Sequence, residues 1–191
     1  MNDFDVIIVG AGMVGLTVAN LFKDTRLKVA LIDKSESSVN TSATDLDEPK
    51  FDSRVSALSS SSREILTRLG AWTLIEQQRY CDLREMYVWD ADGTGSITFS
   101  ADDLAAPRLG TIIENSLVIE ALTHCLESTC NVELIRPCSV DALEETDDWV
   151  LLHTADQGVL RTRLVIAADG ANSKIRELKS FEVREWEYNH N

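Results

Sequence analysis

Apolar positions along the chain first fall in unbroken runs, then at helical spacing, then in runs again. Phe4–Val9 (FDVIIV) is a β-branched run ending at a glycine, the pattern of a parallel strand buried on both faces. Met13–Asp24 follows with Val14, Val18, Leu21 and Phe22 at the spacing of a helix, and Lys28–Asp33 (KVALID) reads as a second buried strand. Together they predict a βαβ unit with a right-handed crossover. Ser35–Lys50 is rich in Ser, Thr and Asp and contains Pro49, which predicts a long surface loop. Ser60–Leu69 predicts a second helix, stopping at Gly70.

Beyond that helix the texture changes. Met86–Trp89 and Ile97–Phe99 flank Asp92–Gly93 as two strands flank a turn. Gly110–Ile113 predicts a further strand. Ser116–Glu127 predicts an amphipathic helix with Leu117, Ala121, Leu122 and Leu126 on one face. Val132–Ile135, Val140–Leu143 and Val150–Thr154 read as successive strands, the last two separated by a solvated acidic turn at Glu144–Asp148. Leu164–Ala168 predicts another buried strand, ending at Asp169–Gly170 before a short helix at Ser173–Leu178. The alternation predicts an α/β fold.

Composition narrows the function. The 191 residues are 44% apolar and 26% charged, which suits a soluble globular chain of one domain with a small second lobe. Eighteen basic residues against 32 acidic ones give a net charge of −14, which argues against a general nucleic-acid partner. Val6–Phe22 is apolar enough to suggest a membrane span. It is broken by Gly10, Gly12, Gly15, Thr17 and Asn20, and it falls short of the ~20 residues a bilayer requires. Asn2, Asp3 and Asp5 stand where a secretory leader would be basic, and the four cysteines form no CxxC pair. The expectation is a cytoplasmic protein with reduced thiols.

The strongest chemical signal is Gly10-Ala11-Gly12-Met13-Val14-Gly15, a GxGxxG between a predicted strand and a predicted helix. In such a turn the first glycine makes the bend, the second lets the backbone approach a pyrophosphate, and the third lets helix pack on strand. The helix N-terminus offers free N–H groups and a positive dipole end to the phosphates. Asp33 closes the second strand, where an acid accepts hydrogen bonds from an adenosine ribose and disfavours a 2′-phosphate. A bare strand-to-helix turn explains Gly15 but not the two further glycines. The fingerprint alone leaves FAD and NAD both open.

Three further segments carry a resemblance. Phe51-Asp52-Ser53-Arg54-Val55-Ser56-Ala57-Leu58-Ser59, followed by Leu69-Gly70-Ala71-Trp72, resembles the arginine-bearing segment of the FAD-dependent aromatic hydroxylases, the p-hydroxybenzoate-hydroxylase-like superfamily. Ile113-Glu114-Asn115-Ser116 is similar to the start of their flavin-side helix. Leu164–Ser173 (LVIAADGANS) is similar to their second nucleotide motif, a strand ending in Asp-Gly. The motifs occur in family order along essentially the whole chain, and their wording is closest to the ubiquinone-biosynthesis hydroxylases. The resemblance implies a Rossmann-like FAD-binding domain of three-layer ββα organisation over residues 1–179. Within it, 80–112 would be an inserted segment of a smaller β-rich substrate lobe, and 180–191 would begin a substrate domain.

By position, the resemblance places Arg54 on the pyrophosphate or ribityl region of the flavin, which suits a guanidinium. Asn115 corresponds to a residue that hydrogen-bonds the phosphate region, with an ordinary helix N-cap as its other reading. Asp169 corresponds to an aspartate that helps hold the cofactor, with a strand-terminating Asp-Gly turn as the alternative. Asp33 departs mildly, since many relatives carry glutamate there. The candidate cofactor-binding set is thus Gly10, Gly12, Met13, Val14, Gly15, Asp33, Lys34, Arg54, Asn115 and Asp169.

The implied reaction is monooxygenation of a polyprenylated phenol or quinol through a flavin C4a-hydroperoxide, with NAD(P)H as reductant and O2 as co-substrate. The cofactor carries the chemistry, so no catalytic residue is named. A lipophilic substrate implies contact with a membrane surface, peripheral at an inner membrane, or with a biosynthetic complex, although no basic amphipathic helix supports it. A homo-oligomer is compatible with the resemblance. Relatives are longer and carry a third, Gly-Asp flavin motif with no counterpart here, which predicts a chain truncated at its C-terminus, weak flavin retention and no hydroxylation by this chain alone. The rival readings are a non-catalytic nucleotide-binding fragment and an NAD-dependent dehydrogenase. His124, Cys125, Cys130 and Cys138 fit no zinc spacing, so no metal is expected. Ser59–Ser62 forms no nucleophile elbow. Trp72, Trp89 and Trp149 are expected to pack in the core or the lobe.

Overall fold

The structure, a computed structural model, describes residues 2–36 and 51–186. Most of the predicted Ser35–Lys50 loop and the end of the 180–191 segment lie outside the described residues. The chain runs β1 (Asn2–Val9), α1 (Met13–Leu21), β2 (Val29–Ile32), β3 (Val55–Leu58), α2 (Ser60–Leu69), α3 (Ala71–Ile75), β4 (Tyr80–Leu83), β5 (Glu85–Trp89) and β6 (Ser96–Ser100). It continues through β7 (Gly110–Glu114), α4 (Asn115–His124), β8 (Val132–Ile135), β9 (Val140–Glu145), β10 (Val150–Thr154), β11 (Gly158–Ala167) and α5 (Lys174–Leu178).

One six-stranded sheet, ordered β8-β2-β1-β11-β10-β9, holds the molecule together. Its β8, β2, β1 and β11 are parallel neighbours, and β10 and β9 join β11 as an antiparallel meander. The predicted βαβ unit is β1-α1-β2. Val6, Ile8, Val29 and Leu31 face a helical layer in which Leu16, Leu66, Trp72, Val118 and Leu122 are buried. Phe4, Ile7, Ala30 and Ile32 face the other way, onto Val140, Leu152, Leu160 and Ile175. Strands β1 and β2 bury side chains on both faces, which is why they read as continuous apolar runs. The meander lies within the same hydrogen-bonded sheet and covers one face of its parallel part, giving the α/β three-layer arrangement.

The remaining strands form two small sheets, β3-β7-β4 and the hairpin β5-β6. The predicted turn at Asp92–Gly93 does join that antiparallel pair. Helix α2 has the predicted bounds. Ser59 caps it by accepting from the Ser62 N–H, and Gly70 ends it at φ +86°.

Four details correct the pattern reading. The buried stripe of α1 is Gly15, Leu16, Ala19 and Asn20, whereas Val14 is 67% exposed and Leu21 60% exposed. At Gly15 the helix approaches the Gly10 carbonyl too closely for any side chain. Strand β11 starts six residues earlier than Leu164, and Leu164 itself is exposed. Trp72 is buried as expected, but Trp89 is exposed, and its ring stacks on Tyr87 at a centroid distance of 5.6 Å. Helices α1 and α4 also end three residues earlier than their patterns predict. Among the described residues no helix is long and apolar enough to cross a membrane.

Candidate nucleotide-binding site

The turn between β1 and α1 is set by backbone contacts. Gly10 has φ +104°, and its N–H donates to the Ile32 carbonyl at 2.8 Å. A β-carbon on Gly10 would lie 2.7 Å from the carbonyl carbon of Ala168 and 2.8 Å from Cα of Asp169. A β-carbon on Gly15 would strike the Gly10 carbonyl. These two glycines therefore serve the protein's own packing. Gly12 differs: it has φ −78°, and nothing lies within 4 Å of where its β-carbon would project. No side chain caps α1, and its first intrahelical bond runs from the Leu16 N–H to the Gly12 carbonyl. The N–H groups of the first turn, from Met13 to Gly15, thus lack helical acceptors and carry the positive end of the helix dipole. An open cradle at an uncapped helix N-terminus fits a nucleotide pyrophosphate.

Asp33 sits at the mouth of this turn. Its Oδ2 accepts from the Ala11 N–H at 2.6 Å, and its Oδ1 accepts from the N–H of Ser35 at 2.8 Å and from the Ser35 hydroxyl. Partial burial pushes the carboxyl up, but the bonds from Ser35 and Ala11 outweigh it and hold it below the usual carboxylate range. Asp33 is thus ionised and fixed against the glycine turn. Met13 is half-buried, and Val14 and Lys34 are exposed beside the turn and the acid.

Arg54 and Asn115 are brought together although 61 positions separate them in sequence. The Asn115 N–H donates to the Arg54 carbonyl at 3.0 Å, and the Ser56 hydroxyl donates to Asn115 Oδ1 at 2.6 Å. The Arg54 guanidinium is exposed, and its charge acts on the Asp52 carboxylate. Asn115 is the first residue of α4 rather than its cap. Asp52 performs that task instead, its Oδ2 accepting from the Ser116 N–H at 3.2 Å while Oδ1 accepts from the Arg54 N–H at 2.9 Å. The bond from the Arg54 N–H is the main reason the Asp52 carboxyl lies below its ordinary range. Glu114 is buried behind this segment and accepts from the Asp52 N–H at 2.7 Å and from Arg79 Nε at 3.0 Å. The bond from Arg79, then that from Asp52, lowers the Glu114 pKa against its burial. Asp52, Glu114 and Arg79 were not among the predicted site residues. The one signal for them was the position of Asp52 and Glu114 inside the two quoted motifs.

Helix α4 packs beside α1. Asn20 Nδ2 donates to the Leu122 carbonyl at 2.9 Å, and the Lys23 charge acts on Cys125, three residues further along each segment. Asp169 stands where β11 leaves the sheet, and its backbone is the surface on which Gly10 packs. Its carboxylate is committed to α5, accepting from the N–H groups of Lys174 at 2.7 Å and Ile175 at 3.2 Å and from the Ser173 hydroxyl at 2.6 Å. The structure therefore brings Gly10, Gly12, Met13, Val14, Gly15, Asp33, Lys34 and the Asp169 backbone to one strand-end cluster, and joins Arg54 to Asn115 in a second.

The chain is 34% identical over 184 residues to 3-demethoxyubiquinol 3-hydroxylase of Escherichia coli (strain K12), an alignment covering 96% of this chain and 46% of that protein. It is 34% identical over 200 residues to the mitochondrial ubiquinone biosynthesis monooxygenase COQ6 of Xenopus tropicalis, covering 98% and 42%. Among solved structures, p-nitrophenol 4-monooxygenase PnpA from Pseudomonas putida DLL-E4 matches with a TM-score of 0.72 at 22% identity, over 92% of this chain and 43% of that one, and supports the fold. The chain spans less than half the length of these relatives. A family model described as an FAD binding domain matches residues 3–189, which favours flavin over free NAD. Because that match runs through nearly the whole sequence, the protein belongs to the FAD binding domain family.

Proposed function

We propose that this chain is the FAD-binding portion of a flavin-dependent monooxygenase that hydroxylates the aromatic ring of a polyprenylated phenol or quinol in ubiquinone biosynthesis. The observation that carries the reading is the open Gly12 cradle at the uncapped N-terminus of α1, in a chain similar to two ubiquinone-pathway hydroxylases. In this reading Gly10, Gly12, Met13, Val14 and Gly15 form the pyrophosphate turn, and Asp33 accepts from the adenosine ribose with Lys34 beside it. Arg54 and Asn115 serve the phosphate and ribityl side, and Asp169 holds the turn from behind.

Bound FAD supplies the redox chemistry, with NAD(P)H as reductant and O2 as co-substrate. The chain's own work is to bind and orient. First-turn N–H groups and Arg54 neutralise phosphate charge, and ionised Asp33 accepts hydrogen bonds from sugar hydroxyls. The exposed apolar residues Tyr87, Trp89, Ile97 and Phe99 on the β5-β6 hairpin support a lobe that meets a lipophilic ring. A second reading is a nucleotide-binding piece with no hydroxylation of its own.

The test is an FAD titration followed by flavin fluorescence, with ADP as competitor and NAD titrated separately. FAD binding that ADP displaces supports the reading, and NAD binding without FAD binding overturns it. Hydroxylation of a prenylated phenol is then assayed with the chain alone and with a polypeptide matching the rest of a relative, which separates the two readings.

A further inference from the structure

Glu114 is the only charged residue that is buried among the described residues. Burying a carboxylate is unfavourable unless both oxygens are paired, and replacement by neutral groups is often no less stable. Here both are paired. Oε1 accepts from Arg79 Nε at 3.0 Å, while Oε2 accepts from the Asp52 N–H at 2.7 Å and from Arg79 Nη2 at 3.3 Å. Arg79 is itself seated over the Phe51 ring, with Cζ 4.6 Å from its centroid. The consequence falls on Arg54. Its N–H is held by Asp52 Oδ1, its carbonyl by the Asn115 N–H, and Asp52 in turn is held by Glu114 and by the Ser116 N–H. The network fixes the backbone of Arg54 at both ends and leaves its guanidinium exposed, with its charge acting on Asp52. Such fixing of backbone under an exposed cation is what a preorganised anion contact requires.

We propose that Glu114 is a positioning residue for the flavin phosphates, acting through Asp52 to hold Arg54 at the N-terminal end of α4. The assignment rests on the reading of Arg54 as a flavin contact. Only a carboxylate serves, because an amide has one acceptor oxygen and would turn an NH2 group towards the Asp52 N–H or towards Arg79.

The experiment is a double-mutant cycle in FAD affinity, read by flavin fluorescence on the wild-type chain, Glu114→Gln, Arg54→Ala and the double variant, with thermal unfolding recorded for each. Loss of one charge-assisted contact corresponds to about a tenfold weaker Kd. The expected result is about tenfold for each single variant, with the double no weaker than Arg54→Ala, because Glu114 acts only through that residue. Wild-type affinity in Glu114→Gln, or a double variant weakened by the product of the two single effects, overturns the proposal. If Glu114→Gln does not fold, the same cycle with Asp52→Asn decides by the same criteria. Arg54→Ala binding FAD as tightly as wild type overturns the placement of Arg54 itself, and the positioning role with it. That outcome is distinct because it appears in the single variant.

Discussion

The carbonyl of Ala168 fills the space into which a β-carbon on Gly10 would project, so that the end of β11 and the start of the glycine turn share one volume. Through this contact the Ala168–Asp169 backbone becomes the floor of the glycine turn. Gly15 packs in turn on the Gly10 carbonyl, and the stack fixes where the N-terminus of α1 points.

The stack separates the roles of the glycines. Gly10→Ala forces a β-carbon into backbone at a positive φ, and a loss of about 2–4 kcal/mol is expected in urea unfolding. Gly12→Val meets no protein atom at its β-carbon and has an ordinary φ. Its unfolding free energy is expected to stay within about 0.5 kcal/mol of wild type, while FAD binding by fluorescence falls at least about tenfold.

Asp33, the residue after β2, bridges the glycine turn and Ser35. In Asp33→Asn one of the three donors from Ala11 and Ser35 faces an NH2 group. Unfolding is expected to show a loss of about 1–2 kcal/mol, and ADP should compete less well against FAD than on the wild type. Asp33→Glu, which keeps the charge, should retain ADP competition.

Asp169 acts through α5 with its side chain and through Gly10 with its backbone. Asp169→Ala removes the acceptor for two backbone N–H groups, and a loss of about 1 kcal/mol is expected in urea unfolding. Ser173→Ala, which removes the hydroxyl that accepts from the Arg176 N–H, should lose a similar amount.

Asp33, Asp52 and Glu114 all have carboxyl pKa values below their ordinary 3.8, 3.8 and 4.5. A depressed value in the folded state means that the unfolded chain binds more protons at low pH. The stabilisation is therefore complete above the ordinary values and disappears as pH falls through the depressed ones. Unfolding free energy measured between about pH 3 and 5 should fall steeply with acidification. Glu114→Gln, with one such group removed, should show a shallower slope over that range.

Much of the fold was legible because its signals are local. The runs at Val6–Val9 and Val29–Ile32, the helix stop at Gly70, and the Asp92–Gly93 turn each report on neighbours in sequence. The pattern failed on α1, where spacing selected Val14 and Leu21 but close packing selected Gly15 and Ala19. It also failed on Leu164, whose run resembles a buried strand, though its burial depends on what lies against the sheet.

By itself the sequence determined the glycine turn, the acid that faces it, the parallel strands around them and the resemblance that sorted FAD from NAD. Those are carried by residue types at short spacing, where backbone geometry leaves few alternatives. Only the tertiary structure decided that Gly10 rests on Ala168, that Asp52 rather than Asn115 serves the start of α4, and that Glu114 stands behind Arg54. Each joins segments far apart along the chain, and such pairings are set by how the strands and helices stack rather than by any neighbouring residue.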